Sequence, residues 1–119
     1  MFDLNSISKC LNTKILGRSI IQYDSLNSTL AKAKNIFASC PDGTVILSEN
    51  QSDPLRSGEQ WPYGSGNNIY LSIILKSVNS DQLLPLIDLV GCSSLLKSAE
   101  ELYGLDCRIK WPNDVIING

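Results

Sequence analysis

Apolar and polar positions alternate in two different periods along this chain, and the change of period divides it into elements. Short runs of β-branched and aromatic residues at 19–23 (Ile20, Ile21, Tyr23), 44–48 and 67–75 predict strands. The 67–75 run is apolar enough to predict a central strand covered on both faces. Between the first two, Leu30, Ala33, Ile36 and Phe37 share one helical face, so a helix is expected over 30–38. It is entered through Asp24-Ser25-Leu26-Asn27-Ser28-Thr29, a stretch rich in N-cap residues. Pro41-Asp42-Gly43 predicts a turn. The longest helical pattern runs over 80–104, with Leu83, Leu86, Ile87, Val90, Leu95, Leu96, Ala99 and Leu102 forming a broad stripe packed on a sheet. Pro85 places its regular start near Leu84, and Gly104 is a good stop. Lys97, Glu100 and Glu101 form its solvated face. Residues 1–18 are a mixed lead-in with one short helix, and 19–119 read as one partial domain.

Two stretches break the pattern. Residues 50–67 form a loop beyond the roughly 12 to 15 residues usual inside compact domains, a length that predicts a ligand loop or lid. Near the end, two apolar runs flank Lys110-Trp111-Pro112-Asn113-Asp114. Proline fixes φ, and Asn and Asp bond their own backbone, so strand, turn, strand is expected. Such a turn sets a cation, an aromatic plane, an amide and a carboxylate at one end of a sheet, a set able to grip a nucleotide and its metal ion. The plain alternative is a polar turn with a buried Trp.

Composition narrows the chemistry. A length of 119 residues bounds the chain to one small domain or part of a larger one. The net charge of −2 and the absence of Lys/Arg clusters argue against nucleic-acid binding. No apolar run approaches the roughly 20 residues needed to span a bilayer, and residues 1–10 lack the order of a secretory signal, so no membrane is expected and the cytoplasm is the default address. His is absent, and Cys10, Cys40, Cys92 and Cys107 are far apart. Zinc sites and Cys-His catalysis are therefore not expected; the cysteines read as reduced thiols, and no metal-ligating residues are assigned.

Lys110-Trp111-Pro112-Asn113-Asp114 resembles the Lys-Trp-Pro-Asn-Asp signature of biotin protein ligases, the biotin- and lipoate-ligase superfamily that activates biotin with ATP and attaches it to a carrier lysine. Other stretches agree in order. Ser28-Thr29 stands where the family has Ser-Thr-Asn, with Leu30 in place of the Asn. The run from Thr44, followed by Gln51, resembles its Gly-Thr-Val-Val strand and Gln. Asn68-Ile69-Tyr70-Leu71-Ser72 is similar to its Asn-Leu-Tyr-Leu-Ser. The resemblance covers 20–119.

It implies an α+β fold, a mixed sheet with helices packed on it, related to class II aminoacyl-tRNA synthetases. Ser28, Thr29 and Gln51 would hold biotin, and Arg56, Gly58, Trp61, Asn113 and Asp114 the nucleotide, with Arg56, Lys110 and Asp114 as the catalytic residues. Biotin and ATP would be the substrates, Mg2+ would neutralise the phosphates, and the biotin carrier domain of a biotin-dependent carboxylase would be the partner.

The long loop departs from the family. Ser52-Asp53-Pro54-Leu55 stands where a Gly and the first Arg of a Gly-Arg-Gly-Arg-Arg-Gly-like segment belong, and Glu59 adds a second carboxylate. Losing a guanidinium and adding negative charge predicts a weaker hold on the adenylate phosphate. The family's next segment carries a lysine that contacts both biotin and phosphate; the chain stops at Gly119 ahead of it, so the expectation is a domain truncated at its C-terminus with turnover lowered by orders of magnitude. The strand ending at Ile117 would present an unpaired edge, inviting a homodimer. Two other functions stay open: a lipoate or octanoate ligase relative, for which an Arg-Gly-Gly-type loop would be expected, and a non-catalytic binding or interaction module on the same fold.

Overall fold

The computed structural model describes residues 1–53, 68–78 and 81–118. The chain forms two compact units, Met1–Ser77 and Val78–Gly119.

In the first unit, helix α1 (Leu4–Cys10) is capped by Asp3, whose carboxylate accepts from the amides of Asn5 and Ser6. Strand β1 (Ile20–Leu26) pairs in parallel with β2 (Val45–Gln51), and β2 pairs antiparallel with β3 (Tyr70–Ile73), giving the order β1-β2-β3. Helix α2 (Thr29–Ile36) is the crossover between the parallel strands and runs into a short 3-10 turn, Phe37–Ser39. It packs on β2 and β3. Ala33, Ile46 and Ile74 are buried at the centre, with Ile21, Tyr23, Leu26, Ile36 and Cys40 around them.

The Pro41-Asp42-Gly43 turn is tied down from several sides. Gly43 has φ +77, and a Cβ there would lie 2.5 Å from the Ile15 carbonyl oxygen, so only glycine fits. Its amide donates to Ile74 O at 2.7 Å, while Asp42 Oδ1 accepts from the Lys76 amide at 2.6 Å. Lys76 Nζ lies 5.1 Å from the Phe37 ring centroid and donates to Cys40 O. The lead-in joins the same unit: the Met1 ammonium pairs with Glu49.

In the second unit, α3 (Leu84–Tyr103) begins with Pro in its first turn and stops at Gly104, whose φ of 61 is left-handed. Gly104 and Leu105 amides return to the Glu100 and Ala99 carbonyls, satisfying the last turn. An exposed Lys97–Glu101 pair at 3.9 Å confirms the solvated face. The helix packs on a two-stranded antiparallel hairpin, β4 (Cys107–Lys110) and β5 (Asp114–Ile117).

The α+β class holds, but four details differ from the sequence expectation. β1 runs on to Leu26 and β2 to Gln51, because Ser25 and Leu26 pair with Asn50 and Gln51. Asn50 and Gln51 thus belong to a strand, not to the long loop. Among the described residues β3 is an edge strand, not a central one, and Ile69, Leu71 and Ile73 are 66%, 51% and 46% exposed. Of the α3 stripe, Leu86, Val90, Leu95 and Leu102 are exposed, and the buried residue of the helix among those described is Cys92. Periodicity located the helix but could not say which apolar side would be covered. No helix among the described residues is long and apolar enough to cross a membrane.

Candidate functional site

The carboxyl ends of β1 and β2 lie side by side, with Leu26 opposite Gln51, and the chain turns from β1 directly into α2. A parallel strand pair leading into a helix N-terminus collects unpaired amides and polar side chains at one place. Beyond the last strand pair the backbones stay joined: Ser52 N donates to Leu26 O at 3.1 Å and Asp53 N to Asn27 O at 2.7 Å. Asn50 Nδ2 reaches Asp24 O at 3.0 Å, and Ser52 Oγ reaches Asn27 Oδ1 at 3.1 Å.

Ser28 is the N-cap, its Oγ accepting from the Ala31 amide at 3.2 Å, so the plain capping role foreseen for this stretch is real. Thr29 N donates to Gln51 Oε1 at 2.8 Å, and Thr29 Oγ1 approaches the same oxygen at 3.3 Å. A backbone amide can only donate, so the oxygen of the Gln51 amide must face it and the NH2 must face away. Ser72, on β3, donates from Oγ to Thr29 Oγ1 at 2.9 Å. Ser28 and Thr29 are buried, Gln51 and Ser72 half-buried.

Ser28, Thr29 and Gln51 are therefore brought together, although 22 residues separate the last two. Ser72 ends the Asn68–Ser72 motif, which by itself gives it no role. Its signal was a hydroxyl between Tyr70 and Ile74, on the strand face whose Ile74 joins the core. A polar side chain at an inward strand position needs a partner.

In the second unit, Lys110 and Asp114 are the last register pair of the hairpin, and Trp111–Asn113 form the turn over a cis Trp111-Pro112 peptide. Asn118 N closes the open end on Asp106 O at 2.8 Å. Trp111 is 75% exposed, which overturns the plain alternative of a buried Trp. Lys110 and Asn113 are exposed and Asp114 is half-buried. The hairpin thus offers a cation, an indole face and an amide to solvent at one tip. Burial pushes the Cys107 thiol up, and the charges of Glu100 and Asp106 add to the effect. It is a protonated packing residue, in keeping with four free cysteines. Arg56, Gly58 and Trp61 lie outside the described residues. Among the described residues no three His, Cys, Asp or Glu gather as a metal site.

The model of the "Biotin/lipoate A/B protein ligase family" matches residues 21–119. The chain is 32% identical over 111 residues to the bifunctional ligase/repressor BirA of Bacillus subtilis, covering 92% of this chain and 34% of that protein. It is 29% identical over 125 residues to biotin--protein ligase 2 of Arabidopsis thaliana, covering 99% and 37% respectively. The biotin protein ligase from Aquifex aeolicus in complex with biotin and ATP is similar with a TM-score of 0.71 at 26% identity, over 82% of this chain and 41% of that one. A ligase from Leishmania major in complex with biotinyl-5-AMP shares the fold, with a TM-score of 0.69 at 21% identity. The chain spans about a third of the length of these curated relatives.

Proposed function

The chain belongs to the biotin/lipoate A/B protein ligase family, and we propose that it carries the biotin-holding end and part of the nucleotide end of a biotin protein ligase catalytic domain. One observation supports this most: Gln51 and Thr29, assigned to biotin from the sequence, are locked together at the amino end of α2 with the Gln51 NH2 facing away from the helix. A fixed donor beside hydroxyl acceptors suits a cyclic urea, which offers both C=O and N–H. Ser28, Thr29 and Gln51 hold that ring. Lys110, Asn113 and Asp114 address the nucleotide, Lys110 by countering phosphate charge and Asp114 and Asn113 by hydrogen bonding. Arg56 is assigned to the phosphate, and Gly58 and Trp61 to the nucleotide, by resemblance alone.

The reaction proposed for the whole domain has two steps. A biotin carboxylate oxygen bonds to the α-phosphorus of ATP as the bridging P–O bond to the β-phosphate breaks, releasing pyrophosphate. The neutral amine of a carrier lysine then attacks the biotinyl carbonyl, and AMP leaves. Neither step requires an imidazole, because positioning and charge stabilisation lower the barrier. Mg2+, bound with ATP, would neutralise the phosphate charge.

The test is equilibrium dialysis of the 119-residue chain against labelled biotin, with lipoate in parallel, followed by biotin-dependent exchange of labelled pyrophosphate into ATP. Saturable biotin binding that lipoate does not match is expected, with slow exchange. A folded sample that binds neither acid, or prefers lipoate, overturns the proposal.

A further inference from the structure

The hydrogen bonds around Thr29 form one continuous order of donors and acceptors. Gln51 Oε1 has no proton to give, and Thr29 has one hydroxyl proton. If that proton serves Gln51 Oε1, 3.3 Å away, Thr29 Oγ1 must accept whatever bond it makes with Ser72, and Ser72 Oγ, 2.9 Å away, supplies it. The order is therefore Ser72 to Thr29 to Gln51. Its far end is the Gln51 NH2, which has no hydrogen-bond partner among the described residues. Without the Ser72 proton, the Thr29 hydroxyl is released to rotate toward other acceptors, and Gln51 Oε1 is left with the single bond from the Thr29 amide.

Ser72 is itself held firmly. It stands opposite Ile46, which is fully buried, in the β2–β3 register, and it reaches across 43 residues of sequence to Thr29. From these contacts we infer that Ser72 is a positioning residue for ligand capture: its hydroxyl directs the Thr29 proton onto Gln51 Oε1 and so holds the Gln51 NH2 aimed at an acceptor on the ligand. The ligand identity rests on the proposed function; the hydrogen-bond order does not. A registered edge strand thereby contributes to a site whose other members lie on β2 and α2.

The experiment uses the 119-residue chain with biotin as probe and four variants: Ser72→Ala, Ser72→Thr, Gln51→Ala and the Ser72→Ala/Gln51→Ala double. Ser72→Ala should weaken biotin binding about fivefold, the effect of one net hydrogen bond, and Ser72→Thr should restore it. In the Gln51→Ala background, Ser72→Ala should add less than about twofold, because its effect passes through Gln51. An unchanged affinity in Ser72→Ala, equal loss in Ser72→Thr, or full additivity in the double variant overturns the inference. The ligand-free readout is the 15N side-chain amide signal of Gln51, which should shift and broaden in Ser72→Ala but not in Ser72→Thr. Should the unsubstituted chain bind no biotin, the functional proposal fails, and the Gln51 signal alone decides the role of Ser72: no change in Ser72→Ala overturns it.

Discussion

At the amino end of α2, Ser28 and Thr29 are 4% and 5% exposed; Thr29 Oγ1 is hydrogen-bonded to both Gln51 and Ser72, while Ser28 Oγ accepts from the Ala31 amide. At the hairpin tip, Lys110, Trp111 and Asn113 stand in solvent on a turn closed by one register pair. In the first region the polar side chains are tied to one another; in the second the hairpin backbone is in register, but the Lys110, Trp111 and Asn113 side chains are exposed. Substitutions should therefore damage folding and binding together at the first, and chemistry alone at the second.

The sharpest way to break that contrast is Thr29→Val, which keeps the shape and removes the hydroxyl shared by Ser72 and Gln51. We expect a loss of about 1–3 kcal/mol in urea unfolding, the cost of leaving buried polar groups unpaired, and at least about tenfold weaker biotin binding. Full stability in this variant would mean the cluster is not part of the folded framework. Next in size, Ser28→Ala should cost about 1 kcal/mol by the same measurement, through loss of the α2 cap.

At the hairpin, Lys110→Ala should change stability by no more than about 0.5 kcal/mol, as expected of an exposed side chain. On the proposed function, pyrophosphate exchange should nevertheless fall at least about tenfold, because the proposed counter-charge to the phosphates is removed. A large stability loss with unaltered exchange would reverse the contrast.

The smallest effect concerns acid. The Lys76 amide, with the Ser77 hydroxyl next, holds the Asp42 carboxyl below the usual carboxylate range. A carboxyl lowered on folding stabilises the fold above its unfolded pKa, and the contribution is lost as pH falls through the lower folded value. Asp42→Asn should therefore flatten the acid limb of a stability-against-pH curve while leaving pyrophosphate exchange unchanged. Thermal unfolding between neutral and strongly acidic pH checks this.

The hairpin was legible from the sequence because turn chemistry is local: Pro112, Asn113 and Asp114 carry their own backbone preferences. The same holds for α3, whose start at Leu84 and stop at Gly104 follow from Pro85 and from the left-handed freedom of glycine. Ser72 was less legible, since its partner lies 43 residues away and a serine in a strand does not announce which face it takes. Strand β3 was misplaced for a related reason. Its composition suits a buried strand, yet coverage depends on which neighbours arrive, and only β2 does among the described residues.

Element type, helix ends, the two turns and the family motif were determined by residues within a few positions of one another, where φ preferences, caps and periodicity act. The tertiary structure alone decided that β2 extends to Gln51, that Gln51 caps Thr29, that Ser72 completes the chain of protons, and that Cys92 rather than the leucine stripe is buried on α3. Those outcomes depend on strand register and on distance between remote segments, because a hydrogen bond or an apolar contact stabilises only when both partners are delivered to the same place.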